Sequence, residues 1–281
     1  MANLDPPSVQ PLYPGTVSQP SDLKGLYLSA ELPANRGNSP WIAANFVTSL
    51  DGRIALDQGG GCRVPEGIAN ARDWRLFQEL AARADCLITS GRYLRDLQTG
   101  SAQDVLPLGH EFDDLRAWRI SQGLPPQPDV VVVSGGVDYT LPPDLTAQRR
   151  RVYLMVPQVV NEASLEVHCR EGAKVLDRYP GQRVTGARLR QALAGAGYRR
   201  AYSVAGPQIA HTLMADGSLD TLFLTQRYRA IGGNPGTYET ITEGDPLMPP
   251  AEFTLQWLYL DPAGGQHFLR LDSAAIASGK S

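Results

Sequence analysis

The chain has 281 residues, of which 42% are hydrophobic and 20% charged, and these values are typical of a globular protein with a substantial core. The formal net charge is -3 and no run of lysine or arginine is present, so we expect no nucleic-acid partner. Three scattered cysteines without CxxC spacing argue against a disulfide scaffold and a zinc site, and we predict no metal. No apolar run reaches the ~20 residues of a membrane span and no N-terminal leader is evident, so we expect a cytoplasmic protein without membrane contact.

The first 40 residues contain seven prolines and few charges. Proline removes a backbone donor, so most of this stretch is predicted to lack regular structure, with one short strand at 25–32. We expect an N-terminal arm over residues 1–40 that packs on the body of the protein or on a partner subunit. A single domain is then predicted over residues 41–281.

Residues 41–56 form an apolar, β-branched stretch that predicts a strand interrupted at Asp51-Gly52. Asn45, Thr48, Ser49 and Asp51 place polar side chains in it. They favour either of two interpretations. The first is a bulge or turn in which Gly52 supplies a positive φ and Ser49 satisfies local backbone groups. The second is a strand end that faces a ligand, as in open α/β sheets.

A helix is predicted over residues 70–83, because Trp74, Phe77 and Leu80 recur at helical spacing. Asp73 falls in its first turn. A carboxylate there either caps the helix and compensates its dipole, or points into a pocket.

Three predicted strands end in small residues, followed by a helix start in two cases. They cover residues 84–90, 129–133 and 201–205, and they lead into Gly91-Arg92, Ser134-Gly135-Gly136 and Gly206-Pro207-Gln208. Backbone N–H groups at such points can hold a phosphate. No G-x-G-x-x-G fingerprint and no P-loop sequence is present, so the phosphate site is not of either common type.

Further helices are predicted at 111–120, 185–196 and 209–215, and further strands at 151–156, 174–176 and 219–225. Two strands at 253–260 and 267–271 flank a loop and predict a C-terminal β-hairpin. Alternating helices and buried strands predict an α/β fold with a mixed, mostly parallel sheet and helices on both faces.

The segment N-F-V-T-S-L-D-G-R-I-A at 45–55 resembles the S-x-D-G-x-I-A signature of the reductase domain of bacterial riboflavin biosynthesis, the C-terminal half of a bifunctional deaminase-reductase. That family has the dihydrofolate reductase fold. Asp73-Trp74-x-x-Phe77 is similar to the helix that faces the substrate in dihydrofolate reductases. Ser90-Gly91-Arg92 is similar to the turn that binds the 2′-phosphate of NADPH. Val204-Ala205-Gly206-Pro207 resembles the Gly-Gly turn that carries the pyrophosphate.

The resemblance implies an NADPH-dependent reductase that acts by hydride transfer on 5-amino-6-(5-phosphoribosylamino)uracil and forms a homodimer. It implies catalytic roles for Asp73 and Asp51, and substrate contacts from Asn45, Ser49 and Phe77. Arg92 and Ser134 would select NADPH over NADH. The implied cofactor contacts are Thr48, Ser90, Gly91, Arg92, Ser134, Ala205, Gly206, Pro207 and Gln208.

Two departures from the family pattern keep other functions open. Ala205 stands at the first position of the Gly-Gly turn, and residues 93–97 replace a segment that helps to hold the phosphorylated substrate. The deaminase zinc signature is also missing, which predicts a stand-alone reductase. The alternatives are a reductase of the same fold for a pterin or another small substrate, and a non-catalytic nucleotide-binding protein.

Overall fold

The structure is a computed structural model that describes residues 4, 6–15, 19–31, 38–57, 59, 61–143, 145 and 150–274. The strands are β1 (Ser8–Tyr13), β2 (Ser21–Asp22), β3 (Trp41–Thr48), β4 (Ala55–Asp57), β5 (Cys62–Arg63), β6 (Cys86–Ser90), β7 (Asp129–Val133), β8 (Val152–Pro157), β9 (Ala173–Tyr179), β10 (Arg200–Ser203), β11 (Thr221–Arg227), β12 (Tyr238–Glu239), β13 (Phe253–Asp261) and β14 (Gln266–Ser273). The helices are α1 (Ala71–Arg83), α2 (Gly91–Gln98), α3 (Asp113–Ser121), α4 (Glu162–Arg170), α5 (Gly186–Gly195) and α6 (Pro207–Ala215).

The main sheet has the strand order β2-β1-β13-β14-β11-β3-β10-β6-β7-β8-β9. From β11 to β9 all neighbours are parallel, and the C-terminal hairpin β13–β14 joins this block antiparallel to β11. Alternate strand residues point to opposite faces, so Ala43 packs in a core with α1 and α3, and Ala44 packs in a second core with α5 and α6. The predicted mixed, mostly parallel sheet with helices on both faces and a C-terminal hairpin is confirmed.

The proline-rich arm contains more regular structure than the sequence predicts. β1 pairs with β13 at the edge of the main sheet. The guanidinium of Arg72, which is buried and paired with Asp261 at 2.7 Å, donates to the carbonyls of Leu4 and Pro6. A side chain of α1 thus supplies hydrogen bonds to two carbonyl groups of the arm that precede β1.

The predicted strand at 25–32 is wrong, because residues 24–28 form turns; residue 32 lies outside the described residues. Burial of Glu79 explains the difference. Its carboxylate accepts hydrogen bonds from the backbone N–H groups of Gly25 at 2.7 Å and Tyr27 at 3.0 Å. Amides that converge on one carboxylate cannot form a strand ladder. The sequence also gave no sign of α4, since its inward residues are only Leu165 and His168.

Residues 41–56 do not form one interrupted strand. β3 ends at Thr48, the chain turns at Asp51-Gly52 with Gly52 at φ 80°, and β4 leaves the main sheet. β4 pairs instead with β5 and β12, and these three short strands form a second sheet that we call the flap. The flap lies against the start of α2, because Glu239 of β12 contacts Arg92.

Trp257 of β13 packs on Tyr27 and Phe223 at ring-centroid distances of 5.6 and 6.0 Å, so it contributes to the core. Homodimer formation stays a prediction. Among the described residues, no helix combines the length and the apolar character that a membrane crossing requires.

Candidate active site

A cavity of about 430 Å³ opens at the carboxyl edge of the parallel strands. Parallel strands end at the same edge of a sheet, so the residues that follow β6, β7 and β10 meet there. The volume lies in the range of small-molecule sites, roughly 300–1,000 Å³. Seven of the residues predicted to contact a cofactor line this cavity: Ser90, Gly91, Arg92, Ser134, Gly206, Pro207 and Gln208.

Thr48 and Ala205, the other two residues predicted to contact a cofactor, do not line the cavity within the described part of the chain. Both are buried. The hydroxyl-bearing side chain of Thr48 lies on the face of β3 that packs toward α5 and α6, as the alternation with Ile42 and Ala44 requires. Contact of these two residues with a cofactor stays a prediction.

Two helix N-termini face the cavity. Ser90 caps α2 by accepting a hydrogen bond from the N–H of Tyr93 at 3.2 Å. α6 begins after Gly206 with Pro207 in its first turn, and no side chain of the described residues caps it. The first N–H groups of a helix have no intrahelical partner, so the amides of Gln208 and Ile209 suit an anionic ligand.

Gly91 allows α2 to approach the end of β7. A Cβ added at Gly91 would lie 2.7 Å from Ser134 Cβ and 2.9 Å from Tyr139 Cε1, and closer still to the Ser134 hydroxyl. A larger residue would fill the space between the two strand ends. The glycine, the serine and the open N-terminus of α6 thus fit a ligand that carries phosphate groups, such as a dinucleotide.

Arg92 lines the cavity, but its guanidinium is paired. Its Nη2 lies 2.7 Å from Oε1 of Glu239, and carboxylate oxygens of Glu243 and Asp96 lie 3.8 Å from other guanidinium nitrogens. Sequence reasoning missed Glu239, because 147 residues separate the partners. By contrast, Arg183 lines the cavity as an exposed cation and makes no ion pair with any residue that the structure describes.

A second polar group lies between α1 and the sheet. Register places Asn45 on β3, Tyr202 on β10 and Thr225 on β11 on one face, the face that α1 covers. Asp73 of α1 points into this region and is 6% exposed. Buried polar atoms without a hydrogen-bond partner among the described residues include Asn45 Oδ1, Asp73 Oδ1, Tyr202 Oη, Thr225 Oγ1 and Tyr27 Oη.

Asp73 is not the N-cap of α1, so the capping part of the first interpretation is wrong, although Asp73 remains an acidic residue in the first turn. Asn70 is the N-cap, and its side chain accepts from the N–H groups of Arg72 and Asp73. Burial raises the pKa of Asp73 to about 6, and the Thr225 hydroxyl and the charge of Arg227 partly oppose that rise. A carboxyl group with this pKa can hold or release a proton near neutral pH.

Two aromatic residues, Trp74 and Phe77, follow Asp73 on α1. Phe77, one turn further along α1, stacks on Trp74 at 5.0 Å and meets the Tyr202 ring edge-on at 5.4 Å. These rings form an apolar wall that suits a flat heterocycle. Sequence reasoning identified Asn45, Asp73 and Phe77. It missed Tyr202 and Thr225, because the sequence pattern of their strands indicates only that the strands are buried.

Ser49 and Asp51, predicted to contact the substrate and to act in catalysis, belong to the turn after β3. Asp51 accepts hydrogen bonds from the Ser49 hydroxyl at 2.5 Å, the Gly232 N–H at 2.8 Å and the Ile231 N–H at 3.2 Å. The hydrogen bond from the Ser49 hydroxyl contributes most to lowering the pKa of Asp51, and the two amides lower it further, to about 2. Asp51 thereby fixes the loop after β11 on β3, as the turn interpretation expects, and its catalytic role stays a prediction.

We expect Asp51→Asn to lower the melting temperature at neutral pH, because an amide cannot accept all these bonds. The pKa of Asp51 is lower in the folded chain than in the unfolded chain. Its contribution is therefore present above pH ~4 and is lost as the pH falls toward 2. The melting temperatures of the wild type and of Asp51→Asn are therefore expected to approach each other as the pH falls. Melting curves of both proteins between neutral pH and pH ~2 measure this change.

Ser49→Ala serves as the matched control, with a smaller decrease in the same direction. An Asp51→Asn protein with wild-type stability at neutral pH would contradict the assignment to the turn.

The sequence profile described as the RibD C-terminal domain matches residues 40–247 of this chain. No curated protein matches this chain in sequence. Among solved structures, a pyrimidine reductase-like protein of Corynebacterium diphtheriae shares 19% identity with a TM-score of 0.64, over 89% of this chain and 98% of that protein. RibD of Acinetobacter baumannii shares 18% identity with a TM-score of 0.56, over 84% of this chain and 58% of that protein.

The riboflavin biosynthesis reductase of Saccharomyces cerevisiae shares 11% identity with a TM-score of 0.52, over 86% of this chain and 93% of the yeast protein. At these identities the structural likenesses establish the fold. The sequence profile covers most of the chain, including the turn at Asp51, the helix of Asp73 and the three strand ends around the cavity. The chain therefore belongs to the RibD C-terminal domain family.

Proposed function

We propose that this protein is an NADPH-dependent reductase that transfers hydride to a phosphoribosylamino-pyrimidine or a closely related heterocycle. The observation that carries the proposal is the cavity at which two helix N-termini and the Gly91–Ser134 contact meet. When bound, NADPH would supply the hydride, and the protein orients the two rings and excludes water. Membership of the RibD C-terminal domain family supports the choice of substrate class.

Each part of the proposed site has a separate task. The amides at the start of α6 bind the pyrophosphate, and Ser90, Gly91 and Ser134 accommodate the adenosine end. Asp73 holds the heterocycle or protonates it, in a region where the rings of Phe77 and Tyr202 limit water. Asn45 and Thr225 offer further polar atoms to the same heterocycle.

A pterin or another small substrate is the second candidate, and a specific observation favours it. Tyr93, in the segment that departs from the family pattern, accepts a hydrogen bond from the N–H of Val105 and donates to the carbonyl of Gln103. This part of α2 therefore fixes a loop of the chain itself. A substrate without a phosphate would not need the contacts that the family segment provides.

Titration of the purified protein with NADPH, followed by nicotinamide fluorescence, tests the cofactor. We expect saturable binding. The substrate is then tested by measuring NADPH oxidation after addition of 5-amino-6-(5-phosphoribosylamino)uracil. A dihydropterin and dihydrofolate serve as comparison substrates. Binding without turnover of any of these would favour the non-catalytic alternative, and absence of NADPH binding would contradict the proposal.

A further inference from the structure

The ion pair between Arg92 and Glu239 involves the arginine that the resemblance assigns to the 2′-phosphate of the proposed cofactor. The Nη2–Oε1 distance is 2.7 Å, and the side chain of Glu239 is 17% exposed while that of Arg92 is 45% exposed. The carboxylates of Glu243 and Asp96 each lie 3.8 Å from the same guanidinium. One positive charge thus has three carboxylates within hydrogen-bond or ion-pair reach.

These carboxylates are held in place by the backbone. The carbonyl of Glu239 accepts from the N–H of Ile54 at 2.9 Å, within the pairing of β12 with β4. The N–H of Glu243 donates to the carbonyl of Pro207 at 3.3 Å, and His211 of α6 contacts the carbonyl of Asp245 at 2.7 Å. The flap and the segment after it therefore keep acidic side chains beside Arg92.

The charges immediately around Arg92 oppose a further anion, although Arg95 and Arg183 also line the cavity. Around Arg92 the three carboxylates outnumber the single guanidinium, so a phosphate has to displace Glu239 and then remains close to it. A ribose with a free 2′-hydroxyl meets no such opposition, since a carboxylate can accept a hydrogen bond from that hydroxyl. The effect distinguishes NADPH from NADH, which differ at this position alone.

We propose that Glu239 is a specificity-determining residue that weakens the binding of NADPH relative to NADH, by holding the arginine that the 2′-phosphate would use. This inference rests on the proposed dinucleotide site and goes beyond it. The flap thereby sets cofactor preference from a strand that does not itself border the cavity.

The test compares Kd values of NADPH and NADH for the full chain, measured by nicotinamide fluorescence without substrate at low ionic strength. We expect Glu239→Gln to lower the Kd of NADPH about fivefold, the upper effect of an exposed ion pair, without lowering the Kd of NADH. Glu243→Gln is expected to lower the Kd of NADPH by only about twofold, because Glu243 lies 3.8 Å from the Arg92 guanidinium. The matched control is Glu166→Gln, which removes a carboxylate 2.9 Å from exposed Arg170 on α4, outside the cavity, and should change neither value.

Arg92→Ala is the second background. In a protein that already carries Arg92→Ala, Glu239→Gln is expected to change the Kd of NADPH much less, because the arginine that Glu239 holds is absent. If the wild type binds both dinucleotides and neither glutamate variant changes their ratio, the inference is wrong and the proposed function stands. If the wild type binds neither NADPH nor NADH, both the inference and the proposed function are wrong. Melting curves of each variant identify a folding failure of Glu239→Gln, in which case Glu243→Gln decides.

Discussion

Asp73→Asn is expected to lower kcat by about 100-fold or more, the effect of removing a positioned acid. The carboxyl group is 6% exposed, and one of its oxygens has no hydrogen-bond partner among the described residues. Asparagine keeps the shape and can still form hydrogen bonds, but it cannot transfer a proton. Steady-state rates of NADPH oxidation at saturating substrate measure the loss.

The pH dependence of the wild type gives a second measurement. Burial raises the pKa of Asp73 to about 6. If the protonated carboxyl donates to the substrate, kcat falls as the pH rises through about 6, and Asp73→Asn loses this dependence. A wild-type rate that rises with pH over the same interval would assign Asp73 the role of a base, and an Asp73→Asn enzyme with an unchanged rate would remove it from the site.

The same substitution is expected to stabilise the fold at neutral pH. The folded chain binds the proton of Asp73 more tightly than the unfolded chain, so the free energy of unfolding falls as the pH rises from about 4 to about 6. Above that interval the ionised carboxylate costs on the order of 3 kcal/mol, which asparagine avoids. Melting curves at pH 4 and pH 8 measure this difference, which is expected only at the higher pH.

Asp114→Asn is the matched control for the stability measurement, with the opposite sign. Asp114 pairs with Arg75 at 2.7 Å, and although partial burial acts to raise its pKa, the contact with Arg75 makes the net shift downward. Removing that charge is expected to destabilise the protein at pH 8. Stabilisation by Asp114→Asn, or destabilisation by Asp73→Asn at pH 8, would contradict the assigned environments.

Gly91→Ala is expected to weaken NADPH binding by more than about tenfold, because the added methyl group enters the contact between α2 and β7. The Cβ would lie 2.7 Å from Ser134 Cβ and 2.9 Å from Tyr139 Cε1, and an overpacked contact costs about 1–3 kcal/mol of stability. The start of α2 has to move, and the strand ends around the cavity move with it. Nicotinamide fluorescence and a melting curve of the same protein measure both effects.

Gly91→Ala combined with Ser134→Gly tests the cause. The second change removes the closest atoms, so part of the lost stability is expected to return, although Tyr139 still limits the space. NADPH binding by Gly91→Ala at wild-type affinity would mean that the ligand does not occupy the end of the cavity beside α2.

Local sequence patterns were sufficient for most of the parallel sheet. The run D-V-V-V-V predicts β7 with its observed bounds, since a strand buried on both faces has to be apolar throughout. Small residues after β6, β7 and β10 predict where the chain turns toward α2 and α6. Because parallel strands end at one edge, the residues that follow these strands meet in one cavity in the structure.

The turn at Asp51 shows where local patterns stop being decisive. The sequence offered a bulge or a ligand-facing strand end, and both need the same residue types. The amides of Ile231 and Gly232, about 180 residues away in the chain, use the acceptors of Asp51 and make it part of the turn.

The sequence by itself determined most of the parallel sheet, most of the helices on its faces and the strand ends that form the cavity, because apolar patterning and turn chemistry are local properties of the chain. Only the tertiary structure decided which charges are free. Asp73 becomes a buried acid because strands β3, β10 and β11 cover it with Asn45, Tyr202 and Thr225. Arg92 becomes a paired cation because the flap brings Glu239 to it. Electrostatic environment depends on residues distant in sequence, so no local pattern can predict it.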